Sequence, residues 1–251
     1  MQSDLIFTAQ SAALRVWAGS LTADDLAAPS ALDGWTVRDL LGHLVAVHDA
    51  VAALRPAEPA EPAEPSSPSS SSGKADDPAA TSGRRGSGDA GAPLTIDEYV
   101  QGYAGSAQRV ADMARTIARD TAADPLGAWD NAAAQAKQTL GALGAADRLV
   151  TTRRGTMMAS AFLDTRLIEL VVHAGDLRRS LPHRPAPPLL PSAQQRVQAT
   201  LREVLTARAP SPEVLAAAST LPAEEFIDLA TGRAAVAPGL PAELAAVLPL
   251  L

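Results

Sequence analysis

Glu169 and His173 stand one helical turn apart in the run from Arg166 to Asp176, among Leu167, Ile168, Leu170, Val171 and Val172. At that spacing a carboxylate and an imidazole share one face of a helix and can address the same small object. Their apolar neighbours argue against a fully solvated face, and a buried carboxylate needs a partner or a cation. His43 sits in a second segment of similar character. His, Glu and His make a set that can hold a divalent metal and leave a coordination position open for chemistry. Each residue also has a plainer reading. A lone core histidine is ordinarily a satisfied hydrogen-bonding group. A Glu–His pair at this spacing is ordinarily a helical ion pair contributing a few tenths of a kcal/mol.

The elements that must position these groups read as helices. Residues 4–19 carry Leu5, Ile6, Leu14 and Trp17. A second helix starts at Thr36, where Thr36 and Asp39 form a capping-box-like pair, and runs to about residue 54. On its wheel His43 falls with Thr36, Leu40, Val47 and Leu54, while His48 lies about 140° away and cannot face the same site. A third helix starts at Thr95 with a stripe of Ile96, Tyr99, Val100, Tyr103, Val110, Met113 and Ile117. A shorter one covers about 129–143. An extended segment from Asp147 turns at Gly155, and a long helix over 159–180 carries the Glu–His pair. Arg166 and Asp176 share the face of His173 and are candidate catalytic residues. Asp176 can orient a ligand imidazole through its second nitrogen. Arg166 can pair with Glu169 or with an anionic substrate. For both the plainer role is an ion pair. His183, beyond the helix, is expected to be exposed.

Composition limits the alternatives. The chain of 251 residues is 47% hydrophobic but only 3% aromatic, and alanine dominates the rest of that fraction, which favours helix. A net charge of −7 argues against a nucleic-acid partner. With no cysteine, disulfides, thiolate-held zinc and a cysteine nucleophile are all excluded, and any thiol must come from outside. The N-terminal residues lack the pattern of a signal peptide, and no apolar stretch reaches membrane-helix length. A cytoplasmic protein without a membrane partner is expected. Residues 55–93 contain no Val, Ile, Leu, Met, Phe, Trp or Tyr and are expected to be a disordered insertion. The pattern is mainly α: a helical bundle over 1–183 and a small C-terminal α or α/β domain or extension over 184–251.

Two segments carry a resemblance. The first runs from Leu32 through Gly34, Trp35, Thr36, Val37, Arg38 and Asp39 to His43. The second is the helix with Arg166, Glu169, His173, Asp176 and Leu177. Together with Thr151–Met157 ahead of Phe162 and Leu163, they resemble the mycothiol-dependent maleylpyruvate isomerase family of DinB-like metal-binding bundles. The resemblance implies a four-helix bundle with a metal, usually zinc, on His43, Glu169 and His173. It implies mycothiol, a low-molecular-weight thiol of actinobacteria, as cofactor and a small electrophilic molecule as substrate. The expected activity is isomerisation or S-transfer. The alternative is a non-catalytic bundle that binds metal, lipid or another small molecule, because the segments around Phe226 and Pro241 resemble the end of a shortened sterol-carrier-like domain. Oligomeric state is not fixed by any of these features.

Overall fold

A computed structural model describes residues 2–57, 92–208, 211–236 and 239–251. Four helices form the bundle: α1 (Gln2–Ala18), α3 (Val37–Ala52), α6 (Pro125–Leu143) and α7 (Ala159–Ser180). They close a ring in which α1 meets α7, α7 meets α3, α3 meets α6 and α6 meets α1. The short α2 (Ala23–Ala27) leads into α3, and α5 (Ala107–Asp120) packs on the other side of α3. Both α2 and α3 begin at a threonine whose hydroxyl accepts the N3 backbone N–H while an N3 aspartate accepts the cap N–H, the reciprocal arrangement expected at Thr36.

The long helix expected from Thr95 to Ile117 is broken. It divides into α4 (Ile96–Gln101), a 3₁₀ turn at Ala104–Ser106, and α5. Arg154 fills the break. Its Nη2 donates to the Gly102 carbonyl at 2.9 Å and to Ser106 Oγ at 2.6 Å. A side chain on Gly102 would meet Arg154 Nε at 2.6 Å, so the glycine admits the guanidinium. After the break α5 turns a different face inward. Ala111, Ala114 and Ala118 are buried, whereas Met113, expected in the stripe, is exposed. Ala114 and Ala118 lie against Gly42 of α3. A Cβ there would sit 2.6 Å from the Ala114 carbonyl oxygen and 2.9 Å from Ala118 N.

The extended segment after Asp147 is a hairpin, β2 (Leu149–Thr152) and β3 (Gly155–Met158), with Gly155 at positive φ. Residues 58–91, most of the expected insertion, lie outside the described residues. Its first residues depart from the expected disorder: β1 (Arg55–Pro56) pairs antiparallel with Thr151 and Val150. Both flanks attach to the hairpin, Ala57 N donating to Leu149 O and Leu94 N to Thr156 O. Backbone pairing therefore anchors residues that have no apolar side chain to bury.

The C-terminal part is helical where described: α8 (Pro191–Arg208), α9 (Pro212–Ser219), α10 (Ala223–Ala230) and α11 (Ala242–Val247). The strands of a sterol-carrier-like domain do not occur among its described residues. The linker before α8 is strapped to α1, where Trp17 Nε1 donates to Pro185 O and Gln10 exchanges hydrogen bonds with Pro188 O and Leu190 N. The apolar core runs without interruption from Phe7 and Leu14 through Leu167 to Leu201, Phe226 and Leu244.

His48 points away from His43, as its wheel position requires. It is buried between Phe7 and Trp129. Its Nδ1–H donates to Leu44 O at 2.7 Å, and Ser11 Oγ donates to Nε2 at 2.6 Å. Burial pushes its pKa down to about 4, against the hydrogen bond to Leu44. His48 is thus neutral in the fold and takes a proton near 6.5 when unfolded. Its contribution is complete above about pH 6.5 and is lost as pH falls toward 4, amounting to about 3 kcal/mol over that range. Urea midpoints of the wild type are expected to fall between pH 6.5 and 4.5 more steeply than those of His48→Gln. A separate test concerns α3 against α5: Gly42→Ala is expected to destabilise by about 1–3 kcal/mol by forcing these helices apart, read as a lower midpoint at pH 7.

Candidate metal centre

The helix α7 is enclosed by α1, α3, α4 and α8, so nearly its whole circumference is buried. Its polar residues must therefore find partners inside the protein. Glu169 and His173 face His43 on α3. Glu169 Oε2 lies 3.1 Å from His43 Nε2 and 3.2 Å from His173 Nε2. The two imidazole rings stand nearly perpendicular, 4.7 Å apart. One donor atom from each residue falls within 4.8 Å of the other two. The expected trio is thus brought together.

Behind His173, Asp176 Oδ2 lies 2.8 Å from Nδ1. Asp176 is itself held by Arg179 Nη2 at 2.8 Å and by Arg233 Nη2 at 3.2 Å. Arg179 continues to Asp228. Burial would raise the Asp176 pKa, but the hydrogen bond to His173 and the charges of His173, Arg233 and Arg179 hold it well below the usual range. As a permanent anion it keeps the proton of a neutral His173 on Nδ1. The Nε2 lone pair then faces the Glu169 carboxylate, and two acceptors about 3 Å apart need a cation between them. The donor set therefore fits a divalent ion.

A proton on His173 Nε2 bridges the same pair, and the remaining shifts follow from that arrangement. Burial would raise the Glu169 pKa, yet hydrogen bonds with His173 and His43 and the charges of His43 and Arg166 hold it well below the usual carboxylate range. Burial lowers His43 against its bond to Glu169. Burial would also lower His173, but Asp176 and Glu169 raise it. His43 Nδ1 is buried without a hydrogen-bond partner among the described residues. The edge of Trp35 packs near its ring.

The trio opens on a cavity of about 300 Å³ whose walls include Trp35, Val47, Val110, Met113 and Leu251. Arg166 lines it as well. Its Nη2 donates to Tyr103 Oη at 2.6 Å and lies 3.8 Å from Glu169 Oε1, too far for a hydrogen bond, while Nε reaches Thr165 Oγ1. Of the two candidate catalytic residues, Arg166 therefore reaches the cavity, whereas Asp176 acts on His173 from behind. His183 is largely exposed and pairs with Asp25 at 2.9 Å. Tyr103 had a sequence signal only as part of a helix stripe. Arg179 stands one turn from Asp176 and could have been found by spacing. Arg233 had no such signal.

Helical ring, central α7 and a buried His–Glu–His cluster define a bundle of the DinB-like metal-binding class. The chain belongs to the mycothiol maleylpyruvate isomerase N-terminal domain family, whose description matches residues 7–178. No curated protein and no solved structure matches it. The match ends within α7 and leaves the C-terminal helices without a family assignment. Among the described residues no helix is long and apolar enough to cross a membrane.

Asp176→Asn is expected to weaken binding of a divalent ion about 10–100-fold by removing the anion that fixes the His173 tautomer. Competition with a chromogenic chelator would measure it, and an unchanged affinity would remove Asp176 from the centre.

Proposed function

We propose that this protein is a divalent-metal-dependent enzyme that uses a low-molecular-weight thiol, mycothiol or a close relative, to isomerise a small electrophilic substrate or to transfer the thiol to it. The observation that carries this reading is the convergence of His43 Nε2, Glu169 Oε2 and His173 Nε2 at one wall of an apolar cavity. These three side chains would hold the ion, with zinc the best suited to two imidazoles and one carboxylate. When bound, the ion supplies the Lewis acidity that keeps a thiol deprotonated near neutral pH.

The chain's own groups do the rest. Asp176 orients His173. The apolar walls at Trp35, Val47 and Val110 exclude water and strengthen each charge interaction inside. Arg166, anchored on Tyr103, puts a fixed positive charge beside Glu169 and toward the substrate space. The chain has no cysteine, in keeping with a thiol supplied from outside. Addition of the thiolate to a conjugated double bond followed by elimination would permit rotation about that bond. Where the adduct is retained, the outcome is transfer.

Purified protein is expected to contain about one zinc or similar ion per chain by elemental analysis. Glu169→Ala and His43→Ala should lose it while remaining folded. Metal-loaded wild type should then consume an electrophile such as maleylpyruvate only when mycothiol is present. A wild type that takes up no divalent ion after reconstitution would overturn the catalytic reading and leave a binding bundle.

A further inference from the structure

Within the four-helix ring, α1 and α6 pack least closely. The seam between them holds a cavity of about 320 Å³ that has no lining residue in common with the one at the His–Glu–His trio. Its inner wall is the His48 side of α3, away from His43. Ala12 of α1 and Ala133 and Ala136 of α6 line it, and their short side chains leave the space unfilled. Leu5 and Val16, toward the two ends of the seam, are the most exposed large apolar side chains among the described residues.

The floor of the cavity is aromatic. The His48 ring lies 5.4 Å from that of Phe7 and 5.3 Å from that of Trp129. The polar atoms there are committed to one another. Trp129 Nε1 donates to Ser11 Oγ at 3.3 Å, Ser11 Oγ donates to His48 Nε2, and His48 Nδ1 donates to Leu44 O. A floor whose donors are all engaged presents ring surface, so the buried end of an occupant must be apolar. The volume is at the lower end for a ligand pocket and suits a single ring on a short chain.

The mouth has the opposite character. Arg15 is neutralised by Asp130, with Nε at 2.8 Å and Nη2 at 2.6 Å from its carboxylate oxygens. Lys137 and Thr8 are exposed, and their side chains have no hydrogen-bond or ion-pair partner among the described residues. Both also line an adjoining hollow toward Gly141 and Gly144, where a Cβ on either glycine would meet nothing within 4 Å. Asp4, which lines that hollow too, has a contact of its own. One uncompensated ammonium beside a free hydroxyl favours a single negative charge that accepts from both.

We infer that the α1–α6 seam is a second ligand site, which takes a small monocarboxylic acid with an aromatic body. The ring lies on Phe7, His48 and Trp129, and the carboxylate stays at the mouth with Lys137 and Thr8. The site stands whether or not the trio holds a metal.

The test is calorimetric titration of the full chain with 4-phenylbutyrate. Wild type is expected to bind one equivalent, and Glu169→Ala to bind it equally. Ala12→Phe and Ala133→Phe fill the cavity and should each abolish binding, the first at an exposed position that leaves the fold intact. Lys137→Met should weaken 4-phenylbutyrate about tenfold and leave the affinity for 4-phenylbutanol unchanged. A wild type that does not bind the acid would overturn the assignment. So would binding that is lost in Glu169→Ala but kept in Ala12→Phe, which would put the carboxylate at the trio. Equal weakening of acid and alcohol in Lys137→Met would remove the charge contact and with it the acid. Self-association of the wild type that Leu5→Asp and Val16→Asp abolish, with no acid bound, would give the seam to a second copy of the chain.

Discussion

Enclosure of α7 is the constraint on which the rest of the site depends. A helix surrounded by α1, α3, α4 and α8 cannot turn its polar residues to water, and each unpaired buried group costs on the order of 1–3 kcal/mol. Asp164 meets Ser3 and Arg196, Arg166 meets Tyr103, Glu169 meets two histidines, and Asp176 meets His173 with two arginines. These pairings fix rotamers from both ends of each contact. The His–Glu–His cluster is one member of a polar network whose partners come from α1, α3 and α8 as well as from α7 itself.

That network joins the family-matched bundle to the C-terminal helices. Arg233 follows a turn at Gly232, whose positive φ suits glycine, and its backbone N–H donates to Asp228 O. From there its guanidinium reaches Asp176. Asp228 in turn holds Arg179. Leu251, positioned by its N–H to Ala230 O, contributes to the wall of the cavity beside the trio. The C-terminal extension thus supplies charge behind His173 and apolar surface in front of the trio.

The helices that carry the trio were legible because their signals are local. Capping at Thr36, the wheel position of His43 opposite His48, and the Glu169–His173 spacing each depend on a few adjacent residues. The break at Gly102 was hidden, because the residue that fills it, Arg154, lies about fifty positions away. The stripe through Val110 and Met113 was periodic, yet these residues line a cavity while alanines take the buried face. Periodicity reports an apolar face, not whether protein or ligand space lies opposite it. The order at Arg55 and Pro56 escaped composition for a similar reason, since strand pairing needs backbone and not apolar side chains.

The sequence by itself determined the helical class, the need for an external thiol in any thiol chemistry, the three ligand candidates and the family. These follow from residue type and short-range spacing, which survive in one dimension. Only the tertiary structure decided that the three donors converge, that Asp176 stands behind His173 while Arg166 reaches the cavity, and that Arg233 and Leu251 come to the site. Those are distances between segments as many as about two hundred residues apart, set by how helices pack around α7, and no local pattern encodes them.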